Sequence, residues 1–222
     1  MTSGWRRALV VRGGCDGNRP VQTTNLFLPF LREHGFDVLV EDSLEVYEDE
    51  DLLHGTDLVL QCWSGGDITR GESAGLLAAV RAGTGFAGWH RGVVDAFRED
   101  PDYQLMTGGT YAGDPSVGGL LRVRLCAAHA DHPVLAGLGG LDGFTVDTDG
   151  CWTLTDPLND VLATVTYDPD DTRRRAVTVP AVWTRTWGKG RVFVSTVGRV
   201  PADFGNPHVR TLTRQGLLWA SR

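Results

Sequence analysis

Gly88-Trp89-His90-Arg91-Gly92 sets an imidazole between two glycines, directly after the short apolar run Phe86-Ala87-Gly88-Trp89. The pattern is that of a strand-to-helix elbow, a turn tight enough to make one side chain protrude. A histidine at that point could serve as general acid or base, ligate a metal, or hydrogen-bond a substrate hydroxyl. A histidine engaged only with its own surroundings fits the same letters. Three further segments carry glycines that let backbone amides approach a ligand: Gly13-Gly14-Cys15-Asp16-Gly17-Asn18, Ser64-Gly65-Gly66-Asp67 and Gly198-Arg199. With His90 as the acid/base candidate, Asp16 and Arg199 join it as catalytic candidates. Gly13, Gly14, Cys15, Gly65, Gly66 and Arg91 are the substrate-binding candidates. Trp63 and Trp183 are the indoles that could stack on a sugar, although Trp183, like Trp89, also suits a core.

These segments matter because each follows an apolar run. Ala8 to Val11, Phe36 to Val40, Asp57 to Trp63 and Phe86 to Trp89 read as strands, the first as one buried on both faces. Between them lie helical periods. One runs from Thr24 to His34, carries Pro29 inside it, and stops at Gly35; Pro29 implies a kink or a late start. Another opens at Thr69-Arg70-Gly71-Glu72, a capping box, and ends near Gly83. Strands joined by single helices make a parallel sheet covered on both faces, which binds ligands at the carboxyl ends of its strands. The candidate loops all fall on that rim. The second half changes character: Leu120 to Cys126, Phe144 to Trp152, Val161 to Tyr167, Ala176 to Thr184 and Arg191 to Val197 read as strands. Trp187-Gly188-Lys189-Gly190 is a hairpin turn, and Val209 to Trp219 closes the chain as a helix. The expected fold is therefore α/β, three layers, flavodoxin-like, with a mostly parallel central sheet and antiparallel additions in the C-terminal half. Residues 1–222 form one domain in this reading.

Composition narrows the function classes. The 222 residues are 41% hydrophobic and 22% charged, ordinary for a globular chain. A formal net charge of −7 argues against a nucleic-acid partner, whose phosphates need clustered cations. Arg173-Arg174-Arg175 follows the acidic stretch Asp168 to Asp171 and reads as a compensated surface loop. No apolar run is long enough for a membrane, and the start shows no leader pattern, so the expected location is the cytoplasm. Cys15, Cys62, Cys126 and Cys151 are widely spaced, without a Cys-x-x-Cys pair, and buried thiols are the expected state for most of them. His129 and His132 are three apart, but Pro133 makes their segment a turn rather than a metal-binding helix face. The partner expected is a small molecule; a homo-oligomer stays open.

The order of motifs resembles the ThuA-like (trehalose-utilisation) family, within the class I glutamine amidotransferase-like superfamily. Gly85-Phe86-Ala87-Gly88-Trp89-His90 is similar to the family's glycine-rich strand ending in Gly-x-His, and Asp131-His132-Pro133-Val134 to its His-Pro turn. Pro180-Ala181-Val182-Trp183-Thr184, then Gly188-Lys189-Gly190-Arg191-Val192-Phe193, then Gly198, and the final Gly216-Leu217-Leu218-Trp219-Ala220, continue the likeness to the end of the chain. The resemblance implies a role in using a disaccharide or an oxidised sugar, by hydrolysis or isomerisation. Departures stand beside it. Cys15 and Asp16 occupy a loop where members often carry histidine, and Arg199 stands where many have Gly-His. Gly108 to Asp114 lacks a family histidine, and Thr148 to Trp152 blurs an acidic pair. No cofactor is evident: a divalent metal is implied by the family, and its ligands are missing here. In class I glutaminases the elbow residue is a thiol; His90 replaces it, which leaves glutaminase chemistry only to another thiol such as Cys15. A non-catalytic binding or assembly module is the rival expectation.

Overall fold

The computed structural model describes residues 6–115, 119–171 and 173–222. In chain order the strands and helices are β1 Arg6–Gly14, α1 Pro20–Asn25, α2 Leu28–Glu33, β2 Phe36–Glu41, α3 Glu50–His54, β3 Leu58–Ser64, α4 Arg70–Ala82, β4 Gly85–Trp89, α5 Arg91–Val94 and α6 Pro101–Thr107. There follow β5 Gly109–Gly113, β6 Leu120–Leu125, β7 Gly143–Asp147, β8 Trp152–Thr155, β9 Asp160–Tyr167, β10 Val177–Trp187, β11 Gly190–Ser195 and α7 Pro207–Ala220.

Nine strands form one sheet in the order β2-β1-β3-β4-β11-β10-β9-β6-β7. Neighbours from β2 to β11 pair in parallel, whereas β10, β9, β6 and β7 are added antiparallel. The chain has the expected α/β/α fold: a mostly parallel centre that continues into antiparallel strands. Strand β1 shows why both faces must be covered. Ala8 and Val10 enter one core, Leu9 and Val11 the other, and all four are 0% exposed. Alternation of side chains puts them on opposite faces, so neither face can meet water. Phe27, Phe30 and Leu31 around α1 and α2, with Val209, Leu212 and Leu217 of α7, close the first face. Leu53 of α3, Leu76 and Val80 of α4, and Tyr103 and Met106 of α6 close the second.

Local chemistry fixes several boundaries. Thr69 and Glu72 form the capping box that starts α4: the hydroxyl accepts the Glu72 amide at 3.1 Å, and the carboxylate accepts the Thr69 amide at 2.8 Å. The helix expected from Thr24 to His34 is two helices, broken at Leu26-Phe27. Pro29 sits in the first turn of α2, where its missing N–H costs nothing, so the chain restarts there instead of bending.

The strand expected from Phe144 to Trp152 is also two. Residues of β7 join the main sheet, while β8 pairs with β5 in a separate two-stranded sheet. Tertiary anchors between them pull the chain out of register. The Thr148 hydroxyl donates to Asp203 at 2.7 Å, and the Cys151 amide donates to the Tyr167 hydroxyl at 3.1 Å.

Candidate functional site

The sheet order reverses at β1, which has β2 on one side and β3 on the other. The crevice of an open α/β sheet lies at such a switch point, beyond the carboxyl ends of the strands. The loops after β1 and β3 meet there. The Cys15 amide donates to Ser64 O at 3.0 Å, the Ser64 hydroxyl donates back to Cys15 O at 3.3 Å, and the Gly65 amide reaches Asp95 O at 3.1 Å. Trp63 is half-buried, its ring laid across Gly13; a Cβ on that glycine would stand 2.4 Å from the indole. Next to Gly17 lie Cys15 Sγ and Arg199 Nη2, 3.6 and 3.9 Å from where a Cβ would be. The first loop thus meets the loop that follows the last strand.

His90 occupies the elbow between β4 and α5 with φ 49° and ψ −144°, outside the regions that non-glycine residues ordinarily adopt. Its amide donates to Ser195 O at 2.6 Å, and its carbonyl accepts the amides of Val93 and Val94 at 3.1 Å each. The flanking glycines make the turn possible by close approach. A Cβ on Gly88 would stand 2.3 Å from Gln61 O, and one on Gly92 would stand 2.9 Å from Cys62 Cα. Behind them, Gln61 is pinned between two hydroxyls: it accepts from Tyr47 at 2.9 Å and donates to Tyr103 at 2.6 Å.

The imidazole does not protrude into solvent, contrary to what the elbow pattern predicts. His90 is 1% exposed, and neither ring nitrogen has a hydrogen-bond partner. Burial holds its pKa down at about 3, and the nearby charges of Arg91 and Arg199 push the same way, with Asp114 opposing. The ring is therefore neutral at ordinary pH, with one N–H and one lone pair on offer.

The two arginines are themselves held. Arg91 pairs with Asp114, gives a hydrogen bond to the Tyr111 hydroxyl at 2.8 Å, and lies with its guanidinium 4.5 Å from the centre of that ring. Arg199 pairs with Asp149 and reaches Asn18 Oδ1 at 3.4 Å. Its backbone amide donates to Asp203 at 2.6 Å. Asp114, Tyr111, Asp149, Asn18 and Asp203 were not singled out in the sequence. In the sequence, the segments holding Asp114 and Asp149 stand out only as departures from the family's motifs, and that departure is the available signal.

Other candidates fall away from this centre. Asp16 is exposed, and among the described residues no hydrogen bond or ion pair joins its carboxylate to His90 or Arg199. Trp183 belongs to the core and not to the rim: it is 0% exposed, and its indole N–H donates to Thr107 O at 2.8 Å. Its register opposite Val194 brings its backbone level with the carboxyl end of β11, so it is the burial of the indole that removes it from the site. His132 accepts the Val134 amide on Nδ1 at 3.2 Å inside a short helical turn.

The donor set also tests the metal implied by the family. Asp114, the carboxylate that acts on His90, is in an ion pair with Arg91, and Asp149 is in one with Arg199; those guanidiniums repel a cation. Among the described residues no group of three or more His, Cys, Asp and Glu side chains could hold an ion. The residues do not fit a divalent cation.

The fold and site define an open α/β sheet protein with an elbow residue at its carboxyl rim, here an imidazole. The chain belongs to the ThuA family (trehalose utilisation), whose model matches residues 7–220. No curated protein matches it. Among solved structures, a protein described as ThuA-like from Bacteroides uniformis aligns over 99% of this chain and 93% of its own, with TM-score 0.79 and 15% identity. A second, from Parabacteroides merdae, aligns over 97% and 89% with TM-score 0.73 and 17% identity. A cytoplasmic protein of Salmonella typhimurium aligns over 98% and 99%, with TM-score 0.66 and 13% identity. At these identities the likeness is one of fold. No described helix is long and apolar enough to cross a membrane.

Proposed function

We propose that this ThuA-family protein binds a small oxidised sugar derivative at the crevice around His90, and that it serves carbohydrate utilisation in the cytoplasm. One observation carries the proposal: His90 is held in a strained elbow with both ring nitrogens unpartnered, between two ordered arginines. Strain and an unsatisfied buried ring are costs that a fold retains where a ligand completes the bonding. Gly13, Gly14, Cys15, Gly65 and Gly66 supply close backbone around the sugar, and Trp63 offers its half-buried indole to an apolar sugar face. Arg91 and Arg199 address carbonyl or carboxylate oxygens.

The chemistry open to His90 is narrow. A pKa near 3 makes the imidazole a weak base and leaves no proton to give as an acid at neutral pH. It acts as a hydrogen-bond partner to a hydroxyl or carbonyl, and in turnover only as an acceptor of a proton from an acidic carbon or hydroxyl. The same burial favours the second reading, a binding module without turnover. Amide hydrolysis is not expected, since the elbow carries no thiol to form a thioester.

Calorimetric titration with a panel of neutral, keto and carboxylated sugars tests the proposal on the intact protein and on His90→Gln. Binding that His90→Gln weakens at least ten-fold supports it. Binding that the substitution leaves untouched, or silence across the whole panel, would refute it. Product formation from any bound sugar separates the enzyme from the binding module, and ammonia released from glutamine would overturn the exclusion of amidotransfer.

A further inference from the structure

The donors around His90 are in excess, and that excess specifies a ligand. Arg91 Nε is buried and unpartnered, as are both nitrogens of His90. Three unsatisfied polar atoms thus sit on two consecutive residues, and at most one of them is an acceptor. The formal charges acting on the imidazole are two guanidiniums and one carboxylate. What would complete this set is an oxyanion.

The chain already shows how each guanidinium is satisfied: Asp114 lies on Arg91, and Asp149 lies on Arg199. The two are not equally fixed. The residue next to Asp149, Thr148, is buried and bonded to Asp203, whereas Asp114 follows the last residue of β5 with a side chain 33% exposed, and besides Arg91 it is held by the hydroxyl of Tyr111, three residues before it. Removing a carboxylate from a part-buried guanidinium is costly unless another anion replaces it. A neutral sugar therefore cannot take the place of Asp114. A carboxylate can, with no change in the local charge and with the planar fork of the guanidinium reused.

We propose that the occupant of this crevice carries a carboxylate, as an aldonate or uronate does, and that Asp114 is its internal stand-in, exchanged from Arg91 when the ligand enters. The inference rests on the assignment of the crevice as a sugar site and narrows it to acidic sugars. Arg91 Nη and Nε hold the incoming carboxylate, the Tyr111 hydroxyl remains on Arg91, and His90 bonds a hydroxyl of the sugar. No covalent step is involved.

Titration of the full chain with D-gluconate, D-glucuronate, D-glucose and glucose 6-phosphate, repeated on Asp114→Asn, Arg91→Gln and Arg91→Lys, tests the exchange. Gluconate or glucuronate binds, Asp114→Asn tightens it ten-fold or more by removing the competitor, and Arg91→Gln abolishes it with partial rescue in Arg91→Lys. Circular dichroism establishes that each variant is folded, and Asp114→Asn carries the test by itself if Arg91→Gln is not. Equal affinity for glucose, preference for the phosphate, or weaker carboxylate binding in Asp114→Asn overturns the inference. If a neutral sugar binds in a His90-dependent way while both carboxylates fail, the exchange is wrong and the sugar site stands. If no sugar binds at all, both fall.

Discussion

Asp203 accepts the backbone amide of Arg199 at 2.6 Å, and the same carboxylate oxygen takes the Val200 amide at 3.1 Å and the Thr148 hydroxyl at 2.7 Å. One buried oxygen therefore ties the loop after the last parallel strand to the segment that carries Asp149, the ion-pair partner of Arg199. Asp203 is 4% exposed, so water does not replace it as an acceptor. Asp203→Ala leaves three donors without a partner. We expect it to cost about 2–4 kcal/mol, as loss of a buried charged acceptor does. Asp203→Asn retains one acceptor and should cost less. Urea denaturation of both variants reads the difference, and an unchanged midpoint in Asp203→Ala would mean that the loop is held by other contacts.

The lowered pKa of His90 has a signature that needs no ligand. In the unfolded chain an imidazole takes up its proton near pH 6.5, whereas in the folded protein burial, followed by the Arg91 and Arg199 charges, delays this to about 3. Below pH 6.5 the unfolded state binds the extra proton, so stability falls as pH falls and the loss is complete only near pH 3. Its size at the acid end is on the order of 5 kcal/mol. His90→Gln carries no such proton. Its stability should fall less between pH 6.5 and 4 than that of the parent, measured by denaturation at a series of pH values. Parallel curves would show that the ring is solvated.

The four thiols are free and differ in burial. Burial pushes Cys62 up to about 12, against a weak pull from the Thr23 hydroxyl, and burial likewise raises Cys126 and Cys151. Cys15 is exposed on the first loop. Reaction follows the accessible thiolate, so one thiol should react quickly with a disulfide reagent in the native protein. Cys15→Ser should remove that fast phase in a spectrophotometric thiol titration. A fast phase that survives the substitution would place the reactive thiol elsewhere, and would reopen the thiol chemistry set aside at the elbow.

How far the sequence could be read follows from which contacts each feature depends on. Ala8 to Val11 announces a strand buried on both faces in four letters, because its environment is set by alternation alone. Thr69 and Glu72 announce a helix start because both partners lie within one turn. The division between β7 and β8 was not legible, since it depends on Asp203 and Tyr167, which are far along the chain from Thr148 and Cys151. The elbow at His90 could be read from its glycines. The electrostatic setting of the buried ring could not, because the charges that act on it include Asp114 and Arg199, which are distant in the sequence, as well as its neighbour Arg91. Trp183 was ambiguous for a related reason: an indole at a strand end suits a sugar or a core equally, and only the Thr107 carbonyl decides.

The elbow glycines give the last test. A methyl on Gly88 would meet Gln61 O and Val93 Cγ2 at 2.3 Å each, and a methyl on Gly92 would meet Cys62 Cα and Sγ at 2.9 Å each. Most of these neighbours belong to β3, an interior strand paired on both edges by β1 and β4. Overpacking of this kind costs about 1–3 kcal/mol, and it also shifts the backbone that sets the direction of the His90 ring. Gly139 has nothing within 4 Å of its missing Cβ and serves as the control. We expect Gly88→Ala and Gly92→Ala to lower the urea midpoint and to weaken sugar binding together, while Gly139→Ala changes neither. Should Gly88→Ala prove as stable as the control, the turn has slack, and the position of His90 is not fixed by the approach of β3.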